Sequence, residues 1–222
     1  DGHMDVVSGC YWYEGPDFKT RHEIWQPTAT FKRKKADGSE ETVPGFEGAL
    51  GVNNAYSDCF LTFAYDFNGD GWTDVVVYGH PGTEVPWYEN PKGKPGHWQK
   101  HVVFDVLDNE SPGFDDVTGD GKPEFTCCSK GYIGFAEADW KHPEQPWKFH
   151  AVTPKGDWQR YSHGLGVGDI NGDKRADFIE TDGWWEQPAD VSSDPVWKKH
   201  QFRFCEGGAQ MLVYDVNGDG LN

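Results

Sequence analysis

The chain of 222 residues carries 37 Asp and Glu against 20 Lys and Arg, a formal net charge of −17. That balance excludes a nucleic-acid partner, whose phosphates call for a basic footprint. No apolar stretch reaches the roughly 20 residues of a membrane-spanning helix, and no secretory leader is visible in the given sequence.

The chain opens on Asp1-Gly2-His3-Met4-Asp5, which has the form of the end of an acidic loop, and continues into the β-branched run Val6-Val7. An aromatic-acidic step follows, Tyr11-Trp12-Tyr13-Glu14, and then a further strand ending at His22. Residues Thr28 to Asn54, with Gly, Pro and mixed charge, read as a loop elaborating this first strand set rather than as a second domain. Within it the basic cluster Lys32–Lys35 is followed at once by Asp37, Glu40 and Glu41 and reads as solvated.

The next element is the most informative. Asp66-Phe-Asn68-Gly-Asp70-Gly-Trp72-Thr-Asp74 recurs as Asp116-Val-Thr118-Gly-Asp120-Gly-Lys122-Pro-Glu124 and as Asp169-Ile-Asn171-Gly-Asp173-Lys-Arg175-Ala-Asp177. A fourth copy reads Asp215-Val-Asn217-Gly-Asp219-Gly220. Oxygen-bearing side chains at relative positions 1, 3, 5 and 9, a backbone carbonyl at 7 and Gly at the bend suit a hard cation such as calcium. The expected ligands are therefore all the residues numbered in these four copies except Gly220, with Trp72, Lys122 and Arg175 contributing carbonyls. An EF-hand needs a bidentate Glu at position 12 and a following helix. Position 12 of the first copy is Val77, inside the strand-like run Asp74–Tyr78. These loops therefore join strands. A plain acidic turn accounts for Asn-Gly and Asp-Gly, but not for acids at the same positions in copy after copy.

After each loop the pattern repeats. A strand leads to an aromatic-acidic step (Trp87-Tyr-Glu89, Phe135-Ala-Glu137, Trp184-Trp-Glu186), then to a Pro-rich turn and a strand ending at His101, His150 or His200. A short apolar strand such as Leu165-Gly-Val-Gly168 then enters the next loop. Asp70, Asp120, Asp173 and Asp219 are spaced by 50, 53 and 46 residues, the period of propeller blades. Four short strands per unit without helical periodicity predict an all-β propeller of four-stranded blades, as one domain over 1–222, with repeats at about 1–65, 66–115, 116–168 and 169–222. The five cysteines, 10, 59, 127, 128 and 205, are odd in number and lack metal or redox spacing. Cys127, inside the strand-like run that follows the second loop, reads as a buried free thiol.

The Asp-x-Asn-Gly-Asp-Gly-x-x-Asp loop followed by Val-Val-Val, repeated with Trp-Tyr-Glu-Asn-Pro, resembles the FG-GAP or VCBS family of secreted calcium-loop propellers. The resemblance implies a structural calcium in the hairpin between the first and second strands of each blade, and a secreted or periplasmic setting. It leaves activity open among adhesion modules, polysaccharide lyases and sugar dehydratases, since fold does not choose function. Members have six to eight blades, so the four strand sets here are expected to be part of a longer propeller, the alternative being a four-bladed ring closed by Met211–Tyr214 on the N-terminal strands.

If the calcium hairpins mark one face, residues entering each first strand ring the channel mouth on the other. That places His163, Tyr161, Lys130 and His80 as candidate catalytic groups, and Asp58, Glu110, Asp182, Gln210, Tyr132 and the neighbouring Tyr56 as candidate ligand contacts. His101, His150 and His200 recur with the repeat and read as structural. The expectation is a carbohydrate or uronate ligand, bound or processed by a lyase- or dehydratase-like mechanism; the alternative is a non-catalytic adhesion or protein-interaction module.

Overall fold

The computed structural model describes residues 2–45, 59–220 and 222. Every helix or strand among them is a strand, in antiparallel sheets. The chain divides into two compact units, Asp1–His80 with Val85–Val102, and Pro81–Glu84 with Val103–Asn222.

The N-terminal sheet is three-stranded, β1 (Val6–Ser8), β2 (Tyr11–Tyr13) and β3 (Arg21–Glu23). The insert after it is not wholly a loop: β4 (Thr30–Lys34) and β5 (Glu40–Pro44) form a hairpin. The reason lies in its charges. Arg33 and Lys34 stand opposite Glu41 and Glu40 across the ladder, and Arg33 reaches the Glu41 carboxylate at 2.7 Å, the cross-strand pairing that favours a sheet. The rest of the insert, 46–54, lies outside the described residues.

Three four-stranded sheets follow, each in sequential order. The first comprises β6 (Leu61–Tyr65), β7 (Asp74–Tyr78), β8 (Thr83–Glu89) and β9 (Gln99–Leu107). The second comprises β10 (Gly113–Asp115), β11 (Glu124–Ser129), β12 (Tyr132–Glu137) and β13 (Lys148–Ala151). The third comprises β14 (Leu165–Gly168), β15 (Asp177–Glu180), β16 (Gly183–Glu186) and β17 (Lys198–Gln201). In each, an acidic loop joins the first strand to the second. The sequence repeats that start at 66, 116 and 169 therefore cut every sheet after its first strand. The second strands β7, β11 and β15 are buried along their whole length, so apolar residues stand side by side in them, as in Val75–Val77, Cys127–Cys128 and Phe178–Ile179, rather than alternating with exposed polar ones.

One interaction recurs in all four sheets of three or more strands. The ring of the histidine on the last strand stacks on the aromatic of the strand beside it: Trp12–His22 at 4.2 Å, Trp87–His101 at 4.4 Å, Phe135–His150 at 4.8 Å and Trp184–His200 at 4.1 Å between centroids. The Glu two residues after each aromatic meets the imidazole Nε2, from 2.6 Å at Glu186–His200 to 3.2 Å at Glu137–His150. Alternation puts residues i and i+2 on one face of a strand, so the aromatic and the acid both reach the histidine opposite. In the second unit the core is built from Val117, Cys128, Ile133, Phe135, Leu165, Phe178 and Trp197.

Met211–Tyr214, expected as a strand, belongs to no sheet. It follows a single parallel bridge between Leu165 and Gln210 and holds β14 through Gly164 N to Ala209 O (3.0 Å) and Met211 N to Leu165 O (3.1 Å). Those bonds lie within the second unit. Leu212 and Tyr214 are exposed.

Candidate metal loops and the cluster around His163

Each acidic loop is organised by its own first carboxylate. In 66–74, Asp66 accepts from Asp70 N (3.1 Å) and Gly71 N (2.9 Å). In 116–124, Asp116 accepts from Gly119 N (2.8 Å), Asp120 N (3.1 Å) and Gly121 N (2.9 Å). Asp169 does the same with Gly172, Asp173 and Lys174, and Asp215 with Gly218, Asp219 and Gly220. The turn needs left-handed backbone at its bend, Gly69 standing at φ 69 and Gly119 at φ 76.

The acid at position 9 begins the second strand and is fully buried in three copies: Asp74, Glu124 and Asp177. Its oxygens receive backbone donors, Phe67 N (3.0 Å) and Asn90 N (2.8 Å) at Asp74, and Val117 N (2.8 Å) at Glu124. Burial nevertheless lifts Asp74 to about 6 and Glu124 to about 7, the backbone bonds opposing and the charges at positions 5 and 1 adding. Asp177 is raised for the same reasons. A cation among these oxygens would supply the charge that burial withholds, so the donor set fits a hard divalent ion.

The loops differ in how far the protein neutralises itself. The Lys92 ammonium lies 2.8 Å from Asp70 and holds its carboxyl below the usual range. Arg175 pairs with Asp173 while its Nε donates to Gln187 O at 3.0 Å. In 116–124 the Lys122 ammonium instead lies 5.0 Å over the Trp140 ring. There Asp116, Asp120 and Glu124 bring carboxylate oxygens within 4.8 Å of one another, with no ion pair to a described residue.

Among the expected mouth residues, the structure joins Glu110 and His163. Glu110 N donates to Ser162 O (2.9 Å) and Tyr161 N to Asp108 O (2.8 Å), which zips 108–110 to 161–162 and leaves the His163 Nε2 bonded to the Glu110 carboxylate. Lys130 sits at φ 52 in a two-residue hairpin turn, bonds Asp108 through its own N–H at 2.8 Å, and commits its ammonium to Asp105. Asp182 is held by Arg203. Tyr132 pairs with Ser129 across the hairpin, and Gln210 lies beside Leu165. Tyr161 is exposed, with the Arg160 guanidinium 5.1 Å over its ring. His80 belongs to the first unit and stands edge-on to Phe60 at 5.6 Å. Asp58 and Tyr56 lie outside the described residues. At Gly166 and Gly168 it is the chain itself that comes close. A Cβ on Gly166 would lie 2.1 Å from Met211 O, and one on Gly168 2.5 Å from Val213 Cβ.

Sequence reasoning passed over three buried polar groups in this unit. The Asn109 side-chain oxygen accepts from Cys128 N at 2.8 Å, and Ser111 Oγ accepts from Leu165 N at 3.4 Å. Glu180 is buried against Lys199 at 2.6 Å and accepts from the Trp185 indole at 3.3 Å. The polar run Asp108–Ser111, entering an otherwise apolar strand, was the available signal for the first two. Glu180 carries none, because only the fold sets Lys199 opposite it.

Sheets that repeat around acidic loops define an all-β repeat protein. Within that class, residues 66–127 match the family model described as the FG-GAP-like repeat, which is consistent with the FG-GAP and VCBS repeat family. Comparison with curated proteins gives no match.

Proposed function

We propose that this chain is a β-propeller-type binding module of the extracellular or periplasmic space, made rigid by calcium in its acidic loops. The observation that carries this reading is the loop 116–124, where three carboxylates converge with no ion pair to a described residue. Calcium at Asp116, Thr118, Asp120, Lys122 (carbonyl) and Glu124 would tie β10 to β11, and the same role falls to the loops beginning at 66, 169 and 215. We assign the tightest site to 116–124, because calcium must displace Lys92 or Arg175 in two of the others.

Calorimetric titration of the chelated protein tests this. Calcium should bind, and Glu124→Gln should remove the tightest step while leaving the later ones. Absence of calcium binding, or a titration that Glu124→Gln does not alter, would overturn the reading.

A catalytic reading has one specific observation in its favour, the exposed His163–Glu110 pair, which does not recur with the repeat. On that reading Glu110 orients the imidazole, and His163 moves a proton to or from a carbohydrate-type ligand. Loss of turnover in His163→Ala with the fold retained is its test.

A further inference from the structure

The first unit holds an open groove of about 500 Å3 lined by the buried Tyr11 and the exposed Arg21, Glu23, Gln26 and His97, none of them part of the acidic loops or the His163 cluster. Its walls are set by the backbone. Ile24 N donates to Cys10 O at 2.8 Å and Trp98 N to Ile24 O at 2.9 Å, clamping the end of β3 between two other segments. Ile24 itself is fully buried, and Trp25 stacks on Tyr88 at 4.7 Å.

Four side chains give the groove its chemistry. The Arg21 guanidinium lies 4.5 Å over the Tyr11 ring and makes no ion pair with a described residue. Glu23 meets His97 at 2.9 Å. Gln26 adds an amide that both donates and accepts. A planar guanidinium with free donors matches a carboxylate in a two-pronged bond. Glu23 repels a bare anion, yet it accepts hydroxyl donors well. A ligand that satisfies both carries a carboxylate and hydroxyl groups together.

We propose that this groove binds a hydroxylated carboxylate of sugar-acid size, with its carboxylate on Arg21 and its hydroxyls on Glu23, His97 and Gln26. The Tyr11 phenol, kept above its ordinary range chiefly by burial, stays a neutral hydroxyl beside the bound carboxylate. The assignment does not rest on calcium or on His163.

The test is calorimetric titration of the whole chain with glucuronate, set against glucose, acetate and inorganic phosphate. Glucuronate should bind more tightly than all three, and Arg21→Gln should weaken it about tenfold or more, the scale of a charge-assisted bond. Lys19→Gln, an exposed change outside the groove, should leave binding unaltered. Melting curves check that Arg21→Gln is folded; Gln26→Ala offers an independent loss of several-fold should it not be. Equal binding of acetate or phosphate would reduce the groove to an anion site and overturn the proposal. So would no glucuronate binding, or glucuronate binding that survives Arg21→Gln and vanishes in His163→Ala.

Discussion

Lys92 shows how a single side chain can neutralise part of an acidic loop. Lys92 occupies the Asp70 carboxylate at 2.8 Å, where a bound cation would stand in competition. We predict that Lys92→Met tightens calcium at 66–74 by about threefold to tenfold, the worth of removing a partly exposed like charge. Calorimetry in the Glu124→Gln background reads it directly, and unchanged affinity would show that Lys92 swings clear of its own accord. The paired thiols Cys127 and Cys128 supply the pH dependence. Burial holds both well above the ordinary thiol range, so the folded state disfavours thiolate. Their stabilisation is complete below the unfolded value near 8.5 and falls as pH rises beyond it, by about 1.4 kcal/mol per pH unit per thiol. Denaturant titrations at pH 8 and pH 10 should show that loss, and Cys128→Ala should shrink the slope whatever it does to stability itself.

The element that repeats is the aromatic–His–Glu stack across the last two strands of each sheet. Its sequence signs, an aromatic with Glu two residues on and a His one strand later, were legible. Their meeting was not, because it depends on a register that sets Phe135 opposite His150 and Trp184 opposite His200. We predict that His150→Ala costs about 1–2 kcal/mol in denaturant unfolding, from the lost ring pair and the uncovered Phe135. His163, exposed and bonded only at the edge of a loop, should cost less than about 0.5 kcal/mol as Ala. The opposite order would mean that the 108–110 and 161–162 zipper, and not the stack, holds these sheets.

For the whole molecule the charge of −17 is the dominant fact. Self-repulsion of that size weakens the compact state, and either general screening or bound calcium relieves it. The two differ in a measurable way. Chelation should lower the melting temperature. Calcium should restore it with saturation, adding about 2.7 kcal/mol per site at a hundredfold excess over the dissociation constant. Sodium chloride at matched ionic strength should recover only part of that, because screening does not reach the buried Asp74, Glu124 and Asp177. Equal recovery by both salts would leave the loops as acidic turns.

The sequence by itself determined the all-β class, the loops as connections between strands, and the buried thiol of Cys127. All of these follow from local rules: glycine where the backbone turns left-handed, acids where a turn needs acceptors, alternation or continuous apolar runs where a strand is half or wholly buried. Tertiary structure alone decided which acids are neutralised within the protein, by Lys92 at one loop and Arg175 at another, and which are left to converge at 116–124. It also filled the glycines of 164–168 with the chain at Met211 and Val213, made a hairpin of the insert, and brought His97 to Glu23 from 74 residues away. The physical reason is one of range. A turn or a strand is set by neighbours in sequence, whereas a charge pair or a close approach is set by packing, which joins residues that share no local pattern.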